Sequence, residues 1–239
     1  MLGQPLIIPP DYLTNLILGL TDRQVKIASM ISAAAYLFVP AHEFGHIVLN
    51  ASGRRFIESE CGQLTAEMLV TGRAPCIRPK DVGAYHGKLP TPSDQLQSMD
   101  TRRRQQLIQA WREEFAADLL GLKLCIITET EDAMLDFRSK IKMSDRKKLA
   151  PVIAMGGVEL VLIILGLVER YSLHRRGPRL LDDHPSAYAR LANIRTAIAL
   201  WERSPDVSPV DNTDHLLEFG EAFERMSDRI LHVILDGNA

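Results

Sequence analysis

Two histidines separated by three residues form the part of the sequence best suited to metal chemistry. They enclose a glutamate in the stretch His42-Glu43-Phe44-Gly45-His46. Side chains four residues apart share one face of an α-helix, so both imidazoles can bind one Zn²⁺ at about 2.0–2.1 Å. Zinc lowers the pKa of its bound water to about 7, and Glu43 can accept the proton. The stretch predicts a zinc site; the alternative is two histidines on a partly buried helix.

A second stretch offers the third protein ligand that a catalytic zinc ion usually takes. Glu114 and Asp118 share a helical face, and the small residues Ala116 and Ala117 between them permit close helix packing. Because an unpaired buried carboxylate is costly, acids in this apolar stretch need partners. Beside the histidine motif, we expect one metal ligand and one carboxylate that supports a ligand. The alternative is a pair of surface acids on an amphipathic helix.

Three separate motifs resemble those of gluzincin zinc peptidases, specifically of the HtpX and CAAX prenyl protease type. The first is residues 41–46, Ala-His-Glu-Phe-Gly-His. The second is residues 114–118, Glu-Phe-Ala-Ala-Asp, which resembles the family's Glu-aromatic-x-Ala-Asp signature. The third is residues 183–191, which contains His184-Pro185 and Arg190 and resembles its His-Pro-x-x-x-x-Arg stretch. The first motif is common to many zincins, whereas the three together, in this order, are specific.

The resemblance implies a zinc-dependent endopeptidase that hydrolyses protein or peptide substrates. His42, His46 and Glu114 would be the zinc ligands, and Glu43 would be the general base. The implied cofactor is therefore Zn²⁺, and the implied fold is a zincin-like helical metallopeptidase domain. The likeness covers a small fraction of the chain and does not carry a substrate, so prenylated peptides are not inferred.

The resemblance also implies roles for three residues around the metal. Asp118 would orient a ligand or pair with Arg190, and Arg190 would anchor the turn that presents His184. His184 would lie beside the zinc and stabilise the oxyanion of the tetrahedral intermediate. The alternative for His184 is a histidine that only caps a helix.

A binding or regulatory module is the second functional hypothesis. Such a protein would hold zinc on a peptidase fold and cut rarely or never. The predicted C-terminal amphipathic helix from Asp214 to Leu235 could supply a partner or homodimer surface, or could pack as core. The presence of Glu43 argues against a purely structural site, which would not need it.

The composition fits one ordinary globular domain. The 239 residues can bury a sizeable core, no linker divides residues 1–239, and the net charge of −2 gives no reason to expect nucleic-acid binding. Cys61, Cys76 and Cys125 lack a metal-type spacing, so we expect free thiols in a reducing compartment. We therefore predict a single metallopeptidase domain that does not bind nucleic acid.

The elements that position these motifs are predicted to be mainly helical. Pro40 should kink or split the helix that carries the histidines, and residues 54–60 and 67–70 are candidate strands of a small sheet at most. Asp183 or His184 marks a further helix start. The predicted helices cover residues 11–20, 23–50, 93 or 101 to 127, 131–142, 145–172, 185–203 and 214–235.

One apolar stretch bears on localisation. Val152 to Val168 is almost wholly apolar, but Glu159 interrupts it, and its length reaches only the lower edge of the about 17–25 residues that span a bilayer. The first residues, Met1 to Pro5, lack the positive charges of a signal peptide. We expect a buried core helix in a cytoplasmic protein. The alternative is peripheral or single-span membrane association through this stretch.

Overall fold

The computed structural model describes residues 21–52, 97–135, 143–176 and 184–202, together with Arg225. These residues are largely helical and contain no strand, which confirms a mainly α architecture for this part of the chain. The candidate strands at 54–60 and 67–70, Cys61, Cys76, the predicted helix at 11–20 and nearly all of the predicted C-terminal helix lie outside the described residues. The single domain over 1–239 accordingly stays a prediction.

The first helix, α1, spans Asp22–Ser52 and carries the two histidines. Val25 N–H donates to the carbonyl of Thr21 over 3.0 Å at its start. Pro40 lies inside α1, so the prediction that it splits the helix in two is wrong. Proline removes one backbone hydrogen bond, to the carbonyl four residues earlier. Here that carbonyl belongs to Tyr36, and both residues lie on the exposed side, where water can take the missing donor's place.

The second helix, α2, spans Thr101–Leu135 and begins at the later of its two predicted starts. Asp100 caps it, since its Oδ1 accepts the Arg103 N–H over 2.8 Å. The predicted end at residue 127 and a new helix from residue 131 are wrong, because α2 continues through this region. The Thr130 hydroxyl donates to the Ile126 carbonyl over 2.7 Å, a bond that fits threonine into the helix. Residues 136–142 of the predicted helix lie outside the described part.

The third and fourth helices, α3 and α4, span Met143–Arg176 and Ala187–Glu202. The predicted cores of both helices are confirmed, but the residue that starts α4 was wrongly predicted. Ser186, rather than Asp183 or His184, is its N-cap: the Ser186 hydroxyl accepts the Ala189 N–H over 3.2 Å. Its carbonyl accepts the Arg190 N–H over 3.0 Å.

The four helices share one core. α1 packs on α2 and α3, which also pack on each other, and α4 packs against α3 and α2. The rings of Trp111 and Phe115 meet edge to face at 6.0 Å. The largest fully buried apolar side chains come from all four helices: Phe38, Leu107, Trp111, Phe115, Leu122, Met155, Leu162, Ile194 and Ile198. Burial of about 25 cal/mol per Å² of apolar surface makes this core the main stabilising element.

Close backbone approach between α1 and α3 depends on a glycine. A Cβ built on Gly157 would lie 2.6 Å from the Ala34 carbonyl carbon and 2.6 Å from the Ala35 nitrogen. Real Cβ atoms do not approach backbone this closely, so any larger residue would push the two helices apart.

Two of the helices are long and apolar enough to cross a membrane, where the sequence predicted at most one. They are Val25–Ala51 within α1 and Leu149–Glu169 within α3, whose most apolar windows are 28% and 56% buried by the rest of the chain. The additional segment arises because α1 continues through Pro40. These lengths and compositions allow membrane association.

Candidate metal centre

The two histidines of the motif meet on one face of α1. The Nε2 atoms of His42 and His46 lie 3.2 Å apart, and the two rings are perpendicular with centroids 4.8 Å apart. His42 is buried and His46 is half-buried. The prediction that residues four apart share one helix face is therefore confirmed for these two histidines, whose imidazole nitrogens lie close together.

Small residues bring α2 against this face of α1. A Cβ on Gly45 would lie 3.0 Å from both the Cα and the carbonyl oxygen of Ala117. A Cβ on Gly121, one turn further along α2, would lie 3.1 Å from the His42 nitrogen. The absence of side chains at these two positions allows the backbones to approach closely. The approach places the acidic stretch of α2 directly beside the histidines.

Glu114 completes a triangle of possible ligand atoms. Its Oε1 lies 3.4 Å from His46 Nε2, and its Oε2 lies 3.6 Å from His42 Nε2. A tetrahedral zinc ion with bonds of about 2.0–2.1 Å separates its ligand atoms by about 3.3–3.4 Å. The 3.2 Å between the two Nε2 atoms is close to such an edge, and one ligand atom from each of the three residues lies within 4.8 Å of the other two. The donor set of His42, His46 and Glu114 thus fits a zinc ion.

Asp118 lies behind His42, on the side away from Glu114. Its Oδ1 is 2.9 Å from His42 Nδ1, and Arg190 donates to both of its oxygens, with Nε 2.8 Å from Oδ2. Burial raises the pKa of Asp118, but the hydrogen bonds and charges of Arg190 and His42 outweigh burial and bring that pKa below its ordinary 3.8. Asp118 is therefore ionised at neutral pH and can accept the His42 Nδ1 proton, which leaves the Nε2 lone pair free for a metal.

Arg190 joins the acidic residues of the centre to α4. Burial lowers the pKa of Arg190, but its hydrogen bond to Asp118 and the charges of Asp118, Glu114 and Glu169 raise it above its usual value. Its Nη1 lies 3.7 Å from Glu114 Oε2, and its Nη2 lies 3.4 Å from His42 Nδ1. The positive charge of one guanidinium thus lowers the repulsion between the two buried carboxylates of Glu114 and Asp118.

His184 lies on the turn before α4, next to the ligand triangle but outside it. Its Nδ1 is 3.2 Å from Glu114 Oε1, while 77% of its side chain is exposed. Among the described residues, His42, His46 and Glu114 each have a ligand atom within 4.8 Å of those of the other two. His184 is not part of this group. The histidine does not cap α4, since Ser186 does. It reaches the centre from the solvent side.

Six of the sequence-predicted residues therefore come together from three helices and one turn: His42, His46, Glu114, Asp118, His184 and Arg190. Glu43 lies exposed on α1, directly after His42. Asp118 and Arg190 make the pairing that the motif resemblance implied, and His184 lies beside the expected metal position. The assigned roles of these residues stay predictions.

Two further acidic residues were not recognised from the sequence as structural partners of α4. Both oxygens of Glu169 lie 3.1 Å from the Ala187 nitrogen, and Glu159 accepts two hydrogen bonds of 3.1 Å from Arg195. The sequence does indicate a partner for Glu159, because a carboxylate inside an apolar stretch of a helix needs a buried partner. The sequence gives no such indication for Glu169, since it lies near the end of a helix, where exposed acidic residues are common.

Comparison of the chain with protein-family models, curated proteins and solved structures gave no match. A functional assignment therefore rests on the three motifs and on the geometry described above.

Proposed function

We propose that this protein is a zinc-dependent endopeptidase of the gluzincin type, with a zincin-like helical domain. The observation that carries the proposal is the cluster of His42, His46 and Glu114: the two Nε2 atoms lie 3.2 Å apart, and each lies 3.4 or 3.6 Å from one oxygen of the Glu114 carboxylate. Three protein ligands leave a fourth tetrahedral position open, as in catalytic rather than structural zinc sites.

The donor chemistry favours zinc over other metals. Two imidazoles and one carboxylate suit a tetrahedral zinc site, whereas magnesium and calcium prefer sites made of oxygen ligands. The contact between His42 and Asp118 supports metal binding by His42, because metal-binding histidines usually donate the N–H of their other ring nitrogen to a carboxylate or carbonyl.

The residues around the triangle have the chemistry that peptide hydrolysis requires. Zinc, when bound, would activate a water molecule and polarise the substrate carbonyl. Glu43, exposed next to His42, would accept the proton of the water and return it to the leaving amine. His184, on the solvent side of Glu114, would donate a hydrogen bond to the oxyanion that develops on the substrate. The proposed substrate is a protein or peptide, and the proposed localisation of the enzyme is the cytoplasm.

Zinc content measured by mass spectrometry on the purified protein tests the metal site. We expect about one zinc per chain, from a single site with three protein ligands. The Glu114→Ala variant should lose most of it, whereas Glu113→Gln should keep it. Glu113 is a fitting control, because it adjoins Glu114 but accepts a hydrogen bond from Gln109 over 2.7 Å. Equal zinc in wild type and Glu114→Ala would exclude Glu114 as a ligand.

Cleavage of a complex peptide library, read by mass spectrometry, tests the activity. The Glu43→Gln variant keeps the shape of the side chain but cannot accept the proton, so it should bind zinc and cleave nothing. Glu113→Gln again serves as the control. Cleavage by Glu43→Gln at the wild-type rate would exclude the peptidase mechanism. Zinc binding with no cleavage by the wild type would instead favour the catalytically quiet binding module.

A further inference from the structure

The carboxylate of Glu169 connects the end of α3 to the start of α4. Both of its oxygens lie 3.1 Å from the backbone nitrogen of Ala187, the first residue of α4. The first N–H groups of a helix have no acceptor within the helix, and a negative charge near them is favourable. Glu169 therefore supplies an acceptor from a different helix.

The two helices also lie close together at this place. A Cβ built on Gly166, one turn before Glu169, would lie 3.7 Å from the Ala187 Cβ, so the Gly166 backbone lies near the first residue of α4. Ser186 caps α4 from within its own segment through the Ala189 N–H. The start of α4 is thus fixed by its own cap and by the side of α3.

Ala187 lies midway between the two residues that α4 and its turn present to the metal centre. His184 lies three residues before it and reaches Glu114, while Arg190 lies three residues after it and reaches Asp118. The Arg190 guanidinium is largely buried and makes several contacts in the centre, whereas 77% of the His184 side chain is exposed. The position of His184 therefore depends mainly on the backbone of the turn.

We propose that Glu169 is a positioning residue for His184: by accepting the Ala187 N–H, it holds the turn that places His184 Nδ1 beside Glu114. This inference deepens the proposed function, since the position of His184 matters for turnover only if the metal centre is catalytic.

The test uses histidine ring signals in ¹³C–¹H NMR spectra of the full-length, metal-free protein. The chain has seven histidines, so the His184 signal can be assigned by its loss in His184→Gln. Glu114→Gln removes the charge that His184 faces and should shift this signal. We expect that shift to be lost when Glu114→Gln is made in a Glu169→Ala background. It should persist in a Glu169→Gln background, because glutamine retains an acceptor oxygen.

Glu129→Ala is the matched control, since it also removes one acid from a helix, but from α2 rather than from α3. The shift must persist in that background, with circular dichroism confirming that each variant is folded. Persistence of the shift in Glu169→Ala would overturn the proposal, as would its loss in Glu129→Ala or the absence of any shift in the otherwise wild-type protein. Because the experiment uses the metal-free protein, it tests the role of Glu169 even if the protein does not bind zinc.

Discussion

His42 Nδ1 lies 2.9 Å from Asp118 Oδ1, so one ring nitrogen of the proposed ligand is held by a buried carboxylate while the other faces Glu114. The same carboxylate receives two hydrogen bonds from Arg190. A chain of contacts therefore runs from α4 through α2 to the histidine on α1. It fixes the orientation of the imidazole before any metal is bound.

Replacing Asp118 by asparagine should weaken zinc binding by about 10–100-fold, the usual effect of losing a carboxylate that supports a metal-binding histidine. Asparagine keeps the shape, but it removes the charge that favours a proton on His42 Nδ1. Titration against a chromophoric chelator measures the affinity. Glu113→Gln, a neighbouring acid on the same helix, should bind zinc like the wild type. Wild-type affinity in Asp118→Asn would show that the contact does not support the ligand.

Gly157→Ala should lower the free energy of unfolding by about 1–3 kcal/mol, the usual cost of overpacking. Its Cβ would lie 2.6 Å from backbone atoms of Ala34 and Ala35, which have no flexible end that can move aside. Gly166→Ala is the matched control on the same helix, since its Cβ would meet only the Ala187 Cβ, at 3.7 Å. That variant should gain up to about 1 kcal/mol from helix propensity.

Urea unfolding followed by circular dichroism compares the two glycine variants. If Gly157→Ala were as stable as Gly166→Ala, the close contact between α1 and α3 would be excluded.

The thiol of Cys125 should resist alkylation in the folded protein. Burial, with a smaller effect of the Glu129 charge, raises the pKa of Cys125 from 9.0 to about 12. Only the thiolate reacts, so at pH 8 the folded protein should react with iodoacetamide far more slowly than protein unfolded in urea. A Cys61→Ser/Cys76→Ser background isolates this thiol. Equal rates with and without urea would mean that Cys125 is not buried.

The same pKa shift has a consequence for stability. The unfolded thiol ionises near pH 9, whereas the folded thiol keeps its proton to about pH 12. Above pH 9 the unfolded state therefore binds fewer protons than the folded state, so this group destabilises the fold as the pH rises. Cys125→Ser in the same background should show a weaker loss of stability between pH 9 and 10.

Much of the candidate site could be predicted because its key spacings are local. Residues four apart on a helix share a face whatever the rest of the chain does, which holds for His42 and His46 and for Glu114 and Asp118. The resemblance of the three motifs to those of gluzincin peptidases then implied that they meet around one metal ion. The mainly α character followed equally from local patterns of apolar residues.

The contacts of α4 could not be predicted in this way, since they join residues on different helices. Glu169 lies 18 positions before Ala187, and Glu159 lies 36 positions before Arg195, so no local pattern links either pair. One of the two predicted effects of Pro40, a split of the helix, was wrong for a related reason. Its local effect is to interrupt a helix, but the residues on either side of it, Phe38 and Ala41, are buried in the core of the fold. Tertiary packing can thus hold α1 together.

The ion pair between Glu159 and Arg195 leads to a prediction about localisation. The Glu159 side chain is fully buried, and the guanidinium of Arg195 donates a hydrogen bond of 3.1 Å to each of its two oxygens. The charge in the apolar stretch of α3 is therefore matched from α4, as expected for a core helix within the protein. We expect α3 to serve as a core helix, and any membrane contact to involve the less buried α1, whose side chains Tyr36 and Ile47 are 84% and 63% exposed.

Fractionation of cells that express the full chain checks this expectation. The protein should be found in the soluble fraction, or should be released from membranes by alkaline carbonate, because the buried ion pair of Glu159 is typical of a core helix and charged residues are rare in membrane-spanning helices. Tyr36→Ser/Ile47→Ser should reduce any carbonate-sensitive membrane fraction, since it removes exposed apolar surface from α1. Leu107→Ile is a control that changes only a buried apolar side chain of α2. Retention in carbonate-washed membranes, with release only by detergent, would instead identify α3 or α1 as a membrane-spanning helix.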